Sequence, residues 1–495
     1  MNLLNQFTAA SLLFAGLTAT AQPVQKPNII YILCDDLGYG DVQCLNPERG
    51  KIATPNMDKL ASQGMIFTNT HSSSSVCTPT RYGIMTGRYN WRTHLQSGVL
   101  NGYSEPLIDA ARLTVPALLK QNGYTTGMIG KWHLGMDIPK DIPSPTITNG
   151  PTTRGFDSYF GISASLDMPP FAFIENDHFT EPLTTTKKWQ RTGPAAAGFE
   201  AIDVLPTITR KAVEYIHTQS KTGNPFFLYL PLNSPHTPIL PTKEWQGKSG
   251  ISPYGDFVMQ TDWTVGQILD ALDKEGISGN TLVVLTSDNG CSNAANIPEL
   301  QSKGHFPSAW FRGSKADLWD GGHRIPFIVR WPAIVVAGST CDQLVCLTDL
   351  MATCADLVGT KLPDNAGEDS FSFLKALKGK PIVSSRAGVI HHSIPGYFSY
   401  RQGKWKLLLS KGSGGWSSPT EKEMAVGSAE VQLYDMEKDS GETNNLYKTQ
   451  PEIVTQLLKQ LESDVQRGRS TAGIDQKNDI KNIVLWKNRK KQEKK

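Results

Sequence analysis

Cysteine is scarce in this sequence and follows no metal-binding or redox spacing. The 495 residues contain seven cysteines, and no two of them form a C-x-x-C pair, which argues against zinc knuckles and thioredoxin-type sites. They are Cys34, Cys44, Cys77, Cys291, Cys341, Cys346 and Cys354. Because seven is an odd number, at least one thiol has no partner within the chain.

Long apolar runs are also lacking. No segment after the N-terminal region reaches the ~18 apolar residues of a membrane helix, so we expect no membrane span. Residues 1–21 carry no charged side chain, include the apolar run AASLLFAGL and end with the A-x-A-like sequence ATA. This pattern predicts a secretory signal peptide, although its first residues lack the usual Lys or Arg. We therefore expect an exported protein, either periplasmic or secreted.

Charge of one sign is in small excess only. The formal net charge is +3, and residues 481–495 hold seven basic side chains against Glu493, so this tail carries +6 and the remainder about −3. Such a balance gives no basic face for a nucleic acid, and we predict no nucleic-acid partner. A basic run of this kind is typical of a solvated chain end.

Short apolar strands alternate with helical patterns over most of the chain. The predicted strands are NIIYIL (28–33), TTGMIG (125–130), PFFLYLPL (225–232) and TLVVLTS (281–287). Strands without polar alternation are buried on both faces. The pattern therefore predicts an α/β protein in which helices flank a large, mostly parallel sheet.

The pattern changes after about residue 375. YFSYRQGKWKLLLS (397–410) and VQLYDM (431–436) are strand-like, and a helix is predicted near 450–467. We predict a smaller C-terminal α+β domain with an antiparallel sheet. The predicted division is a main, catalytic domain at 22–375, a C-terminal domain at 376–480 and the basic tail at 481–495.

Reactive side chains follow four of the predicted strands, at or just after the point where each strand ends. They are Asp35, Asp36, Lys131, His133, His236, Asp288 and Asn289. Ligand sites of open α/β sheets lie beyond the carboxyl ends of the strands. These side chains, although far apart in sequence, are therefore expected to meet along one edge of the sheet.

Four of these residues, Asp35, Asp36, Asp288 and Asn289, offer oxygen ligands. Oxygen ligands suit Ca²⁺ or Mg²⁺ and disfavour zinc or copper. One Asp-Asp pair after a strand is more often a cap than a ligand. Two such pairs, each at a strand end, favour a metal site.

Five cationic or imidazole side chains accompany these oxygens: Arg81, Lys131, His133, His236 and Lys315. Such a group fits an anionic ester, because charge on its non-bridging oxygens must be held while a bond breaks. Taken singly, each residue also has an ordinary explanation as a surface lysine or a hydrogen-bonded structural histidine.

The stretch SVCTPTRYGIMTG (75–87) places Cys77 before Pro79 and Arg81. Cys77 could be a half-buried structural cysteine, or a nucleophile or its precursor at a helix start. The stretch matches the C-x-P-x-R signature of type I sulfatases, and GYTTGMIGKWH (123–133) matches their second signature. DDLGYGD, SPHTP, TSDNG and FRGSKADLWDGGHRIP correspond to further blocks in the family order. From residue 27 to 410 the chain resembles these sulfatases, in particular the arylsulfatase A and N-acetylgalactosamine-6-sulfatase group.

This resemblance implies an alkaline-phosphatase-like fold and hydrolysis of sulfate esters. It also implies that a formylglycine-generating enzyme converts Cys77 to formylglycine, whose hydrated aldehyde attacks sulfur with help from Asp288. His236 would protonate the leaving sugar oxygen, and His133 would take a proton from the second hydroxyl as sulfate is expelled.

The resemblance assigns the remaining residues to binding. Lys131 and Lys315 would neutralise the sulfate oxygens, and Arg81 would anchor the modified side chain. Residue 77 would join the four oxygen-bearing residues as a metal ligand, with Ca²⁺ favoured over Mg²⁺.

Two other functions are open on the sequence alone. A phosphoesterase of the same superfamily would normally use Ser or Thr as its nucleophile, so Cys77 within a full modification motif argues against it. A non-catalytic binder of sulfated glycans would not need every catalytic position to be present.

The substrate class implied is a sulfated sugar from glycosaminoglycans, mucins or algal polysaccharides. Glycosaminoglycan degradation is the expected process, and a galactose or N-acetylgalactosamine 6-sulfate is the first expectation. Four segments are expected to shape the sugar sites: 90–105, 163–200, 303–324 and 391–397. Candidate sugar contacts within or beside them are Trp310, Arg312, His323, Arg324, His391 and His392. Ordinary packing explains these six side chains equally well.

Overall fold

The computed structural model describes residues 26–140, 142–382 and 386–487, so the predicted signal peptide and residues 488–495 of the basic tail lie outside the described residues. The strands are β1 (Asn28–Asp35), β2 (Met65–Phe67), β3 (Thr70–His71), β4 (Thr125–Lys131), β5 (Ser158–Ile162), β6 (Ile174–Glu175), β7 (His178–Phe179), β8 (Leu183–Trp189), β9 (Arg191–Ala196), β10 (Phe226–Pro235), β11 (Thr281–Ser287), β12 (Phe327–Arg330), β13 (Ser339–Cys341), β14 (Val345–Cys346), β15 (Val389–His392), β16 (Phe398–Gln402), β17 (Trp405–Leu408) and β18 (Gln432–Asp435). The α-helices are α1 (Pro55–Ser62), α2 (Cys77–Thr86), α3 (Val115–Gln121), α4 (Val204–Gln219), α5 (Pro253–Lys274), α6 (Ile297–Ser302), α7 (Asp320–His323), α8 (Leu350–Val358), α9 (Leu374–Leu377) and α10 (Pro451–Gln466).

A ten-stranded mixed sheet forms the centre of the protein, in the order β13-β2-β12-β11-β1-β10-β4-β5-β6-β7. Its five middle strands, β11-β1-β10-β4-β5, run parallel to one another. The predicted strands NIIYIL, TTGMIG, PFFLYLPL and TLVVLTS become β1, β4, β10 and β11. The prediction of a large, mostly parallel sheet is confirmed, and antiparallel strands occur towards its edges.

Amphipathic helices pack against this sheet. In α4, the buried Leu205, Ile208, Ala212 and Ile216 recur every three or four residues, which places them on one helical face. That face packs on β10 and β4, and α5 packs on β10 beside it. Ser252 caps α5, because its hydroxyl accepts a hydrogen bond from the Gly255 amide.

The C-terminal region contains the predicted antiparallel sheet, in the order β15-β16-β17-β18. The stretch YFSYRQGKWKLLLS is a hairpin of β16 and β17 that turns at Gly403, whose φ is 53°. Leu457 and Leu461 of α10 are buried in the same apolar cluster as Tyr400 and Leu407 of the sheet. The exact domain boundaries remain a prediction.

The strand order brings together the reactive side chains that follow the strand ends. β11, β1, β10 and β4 are consecutive in the sheet, and Asp35 at the end of β1 is paired with Pro235, which precedes His236. Cys34 is paired with Ser287, which precedes Asp288. Within the described part of the chain, no helix is both long and apolar enough to cross a membrane.

Candidate active site

The ends of four neighbouring strands and the start of α2 form one buried cluster. Every side chain of the predicted catalytic and metal-binding set is at least nine-tenths buried. Cys77 is the first residue of α2 and is 2% exposed. Because the amide N–H groups at a helix N-terminus are unpaired within the helix, this position favours a bound anion.

Two lysines neutralise the carboxylates that follow β1. Nζ of Lys131 lies 2.6 Å from Oδ2 of Asp35, and Nζ of Lys315 lies 2.7 Å from Oδ1 of Asp36. Burial alone would raise the pKa of Asp35, but Lys131 and the other surrounding cations hold it well below its usual range. The same carboxylate environment raises the pKa of Lys315 against the effect of burial. Lys315 therefore remains charged.

Arg81 fixes the geometry around Asp288. Its Nη2 and Nε donate to Oδ2 of Asp288 at 2.7 and 3.0 Å, and its Nη1 donates to the Lys131 carbonyl at 3.0 Å. One guanidinium thus joins the helix of Cys77 to the ends of β11 and β4. Burial and the nearby Asp35 raise the pKa of Asp288 to about 6, although Arg81 opposes this shift.

The two histidines of the cluster lie against backbone carbonyls through different ring nitrogens. His133 Nε2 lies 2.8 Å from the Leu100 carbonyl, and its Nδ1 is buried with no hydrogen-bond partner among the described residues. His236 Nδ1 lies 2.6 Å from the Thr237 carbonyl, and its Nε2 lies 3.7 Å from Oδ2 of Asp36. Burial, with the nearby lysines, lowers the pKa of both imidazoles, so both are neutral near pH 7.

The oxygen-rich part of the cluster suits a hard divalent cation. Oδ1 of Asp35 and Oδ1 of Asn289 are buried and, among the described residues, accept no hydrogen bond. Ligand atoms of Asp35, Asp36, Cys77 and His236 all lie within 4.8 Å of one another. Asp36 has a φ of 67°, a left-handed conformation that costs a non-glycine residue energy and is typical of functional sites. Buried oxygens that accept no hydrogen bond from the described residues are the donors that a hard divalent metal prefers.

A cavity of about 340 Å³ opens above this cluster and reaches Cys77, His133, His236 and Lys315. Its volume lies at the lower end of the range for small-ligand sites, which fits a ligand the size of one sugar. The floor carries fixed positive charge, and the walls are formed by loops. The arrangement can hold one anionic group against the floor and a small neutral group above it.

Comparison with family models identifies the family of proteins to which this site belongs. The family model described as Sulfatase matches residues 27–360, which include every residue of the predicted catalytic and metal-binding set. The chain belongs to the sulfatase family.

Curated sulfatases match almost the whole chain. An N-acetylgalactosamine-6-O-sulfatase of Bacteroides thetaiotaomicron is 35% identical over 488 residues, covering 89% of this sulfatase and 94% of the relative. Human arylsulfatase A is 32% identical over 482 residues, covering 91% and 89%. These matches confirm the predicted relationship to the arylsulfatase A and N-acetylgalactosamine-6-sulfatase group.

A solved structure supports the fold. It comes from work on the metabolism of multiple glycosaminoglycans by Bacteroides thetaiotaomicron and aligns with a TM-score of 0.80 at 34% identity. The alignment covers 89% of this sulfatase and 99% of that chain. The chain is therefore a sulfatase by family, by relatives and by fold.

The six candidate sugar contacts lie outside this cavity. None of the six is among the described residues that line the cavity. His323 and His391 are fully buried and stack on each other with ring centres 3.7 Å apart, and Arg312 lies over the Trp319 ring. Imidazoles buried in this way have no surface to offer a sugar.

The four predicted segments do contribute to the cavity wall, but through other residues. Val99, Lys315 and Ile394 come from three of the segments. The segment 163–200 supplies Ser165, Asp167, Met168, Gln190 and Arg191. Trp416, which is 46% exposed, joins them from the C-terminal region. Apart from Lys315, none of these positions belongs to a motif, so nothing in the sequence pointed to them individually.

Proposed function

We propose that this sulfatase releases sulfate from galactose or N-acetylgalactosamine 6-sulfate, using a formylglycine formed from Cys77. The observation that carries the proposal is the position of Cys77, at the start of a helix and on the floor of a sugar-sized cavity beside fixed cations. The relative named N-acetylgalactosamine-6-O-sulfatase, which covers most of the chain, supports the choice of sugar.

The chemistry of the thiol supports its conversion. Burial raises the pKa of Cys77 to about 12, even though Lys131 and Lys315 lie nearby, so an unmodified thiol stays protonated and a poor nucleophile. A sulfur-linked sulfate would also have no second hydroxyl from which to expel sulfate. A formylglycine supplies, when hydrated, a hydroxyl that attacks and a second that allows release.

The metal proposed for the site is Ca²⁺, held by Asp35, Asp36, Asp288, Asn289 and residue 77. Ca²⁺ accepts six to eight oxygen ligands with flexible geometry, whereas Mg²⁺ prefers to keep several waters, so a site rich in protein oxygens favours calcium. When bound, the cation would supply positive charge for the sulfate oxygens and for the attacking hydroxyl. The buried Oδ1 atoms of Asp35 and Asn289, which accept no hydrogen bond from the described residues, support this assignment.

The chain's own residues then have separate tasks. Lys131 and Lys315 hold the sulfate oxygens, since their ion pairs with Asp35 and Asp36 fix both ammonium groups in place. Arg81 holds Asp288, and through its hydrogen bond to the Lys131 carbonyl it also fixes the end of β4. The task of these three residues is to position and to stabilise charge.

Proton transfer falls to the two histidines. His236 is proposed to protonate the departing sugar oxygen, because a bound sulfate ester brings negative charge that raises the pKa of this imidazole from its lowered value. His133 is proposed to accept a proton through Nδ1, which has no partner among the described residues. A neutral imidazole with a free ring nitrogen is ready for that task.

Maturation and location complete the proposal. Residues 1–21 are proposed to direct export to the periplasm or the exterior, and a formylglycine-generating enzyme is proposed to modify Cys77. The division into a catalytic domain at 22–375 and a C-terminal domain at 376–480 is proposed with them.

The decisive experiment is a desulfation assay on a panel of defined sulfated mono- and disaccharides. The enzyme should be produced with a formylglycine-generating enzyme. The proposal predicts the highest kcat/KM on galacto-configured 6-sulfates. Preference for the matching phosphate esters would indicate a phosphoesterase, and binding without sulfate release would indicate a glycan-binding protein.

A further inference from the structure

A carboxylate outside the metal-binding cluster lies on the wall of the cavity. Asp167 lines the same cavity as Cys77, His236 and Lys315, and it is 5% exposed. Its Oδ2 accepts a hydrogen bond of 2.7 Å from Nη1 of Arg191. Its Oδ1 is buried and accepts none within the described residues. A buried carboxylate oxygen without a donor is costly, so this atom is suited to a donor from a bound ligand.

The backbone around Asp167 and Arg191 holds the two side chains in place. Gln190 is the single residue between the paired Trp189 and Arg191, and its φ of 66° lets the hairpin of β8 and β9 turn sharply before Arg191. Gly193 of the same hairpin lies against Pro169, since a Cβ at this position would come within 2.3 Å of the proline ring. This close approach fastens the hairpin to the loop that carries Asp167.

Two further cavity residues also carry unpaired polar atoms. Oγ of Ser165 and Nδ1 of His133 are buried and have no hydrogen-bond partner among the described residues. Asp167 and Ser165 are two positions apart in one loop. The cavity therefore offers hydrogen-bonding atoms in excess of those that the chain itself satisfies, and a hydroxyl-rich ligand would satisfy them.

The chemistry of a carboxylate decides which part of the substrate Asp167 meets. An ionised carboxylate only accepts hydrogen bonds. Sulfate oxygens are negatively charged and have no proton to donate, so they are repelled. A sugar hydroxyl donates a proton and carries no charge. A carboxylate in a cavity that binds an anion must therefore face the neutral, hydroxylated part of that ligand.

We infer that Asp167 accepts a hydrogen bond from an unsulfated ring hydroxyl of the sugar that carries the sulfate ester, and that Arg191 positions the carboxylate for this contact. The inference rests on the proposed function and specifies how the sugar is recognised. It follows that a second sulfate on that hydroxyl is rejected, because its charge would lie against Asp167.

The test compares a sugar sulfate with an aryl sulfate that has no ring hydroxyl. The measured quantity is kcat/KM for N-acetylgalactosamine 6-sulfate divided by kcat/KM for 4-nitrophenyl sulfate. In Asp167→Asn this ratio should fall roughly 10- to 100-fold, the value of a hydrogen bond to a charged group, mainly through a higher KM. Arg191→Ala should lower the ratio in the same direction, and since Arg191 is largely exposed, this variant should fold.

A matched control removes the same charge elsewhere. Asp177 is an exposed acid paired with His178, and it does not line the cavity, so Asp177→Asn should leave the ratio unchanged. Monodeoxy analogues of the sugar sulfate identify the hydroxyl. For one analogue, wild type and Asp167→Asn should have equal kcat/KM, because the partner of Asp167 is missing in both.

The outcomes separate this inference from the proposed function. An unchanged ratio in both variants, or a penalty that persists with every deoxy analogue, would overturn the hydroxyl contact while leaving the sulfatase chemistry intact. A wild-type enzyme that cleaves 4-nitrophenyl sulfate but no sugar 6-sulfate would instead overturn the proposed substrate, and the hydroxyl contact with it.

Discussion

Lys131 and Asp35 form a fully buried ion pair across β10, with Nζ 2.6 Å from Oδ2. Lys131 ends β4, Asp35 ends β1, and β10 lies between these two strands in the sheet. Removing both charges from water costs several kcal/mol per ion, so a pair of this kind is weak evidence for stability. Its position beside Cys77 is better explained by the need for fixed charge where an anion binds.

Replacement of Cys77 tests the identity of the nucleophile. Cys77→Ala should lower sulfate release by more than about 1,000-fold, because the proposed nucleophile is lost. The unfolding temperature should stay within a few degrees of wild type, since only one small buried group is lost. Mass spectrometry of the peptide containing residue 77 should show formylglycine in the active wild-type enzyme. A fully active preparation that carries only the free thiol would contradict the assignment.

Replacement of His236 tests the proposed acid. His236→Ala should reduce kcat on sugar sulfates roughly 10²- to 10⁴-fold, because a sugar alkoxide is a poor leaving group without a proton. The loss on 4-nitrophenyl sulfate should be much smaller, since nitrophenolate leaves unaided. Measured kcat values for both substrates decide the matter. Equal losses would show that His236 does not act as the acid.

Removal of divalent cations tests the metal site. Treatment with EDTA followed by dialysis should abolish activity, and Ca²⁺ should restore it better than Mg²⁺. Because Ca²⁺ binds only the folded site, it should also stabilise the protein, by about 2.7 kcal/mol at a hundred times its Kd. Asp288→Asn should lose most of this calcium-dependent rise in unfolding temperature, whereas the exposed control Asp177→Asn should keep it. Full activity after exhaustive chelation would rule the site out.

Because His392 is buried, we expect the protein to lose stability in mild acid. Burial, with a contribution from Lys487, lowers its pKa to about 3, and neither ring nitrogen has a hydrogen-bond partner within the described residues. The unfolded chain takes up a proton near pH 6.5 that the folded chain refuses, so stability from this group is present above pH 6.5 and is lost as pH falls towards 3. Between pH 7.5 and pH 5 the loss should be about 2 kcal/mol.

A substitution isolates this histidine. In His392→Phe, which keeps an aromatic ring against Phe398, the fall in unfolding free energy from pH 7.5 to pH 5 should be about 2 kcal/mol smaller than in wild type. Denaturant titrations at the two pH values measure the difference. The same pH dependence in the variant and in wild type would exclude His392 as its source.

The sheet and the reactive side chains at its strand ends could be predicted from the sequence for a simple physical reason. Strands buried on both faces need continuous apolar runs, and these runs are visible in the sequence and end abruptly at residues such as Asp35 and Asp288. Parallel strands then fix where their ends meet. The meeting of the reactive side chains at one edge of the sheet follows from that geometry, whereas the order of the strands does not.

The cavity wall could not be predicted in the same way. The hairpin strand LTTTKKW (183–189) is mostly polar and exposed, so no hydrophobic alternation announces it. Asp167 lies in a loop without a motif, and its place in the cavity depends on the contact between Gly193 and Pro169. His323 and His391 were candidate sugar contacts because they are polar. Their stacking in the interior depends on packing between distant segments, which the sequence does not show.

The depth of Cys77 makes activation a question of timing. A cavity of about 340 Å³ admits a sugar but not the catalytic groups of another protein. Under the proposed function, a molecule that reaches its native state with the thiol intact therefore has no later route to activity. The specific activity of a preparation would then depend on whether modification of Cys77 precedes folding in each chain. Protein that folds before this modification would accumulate as inactive enzyme beside the active form.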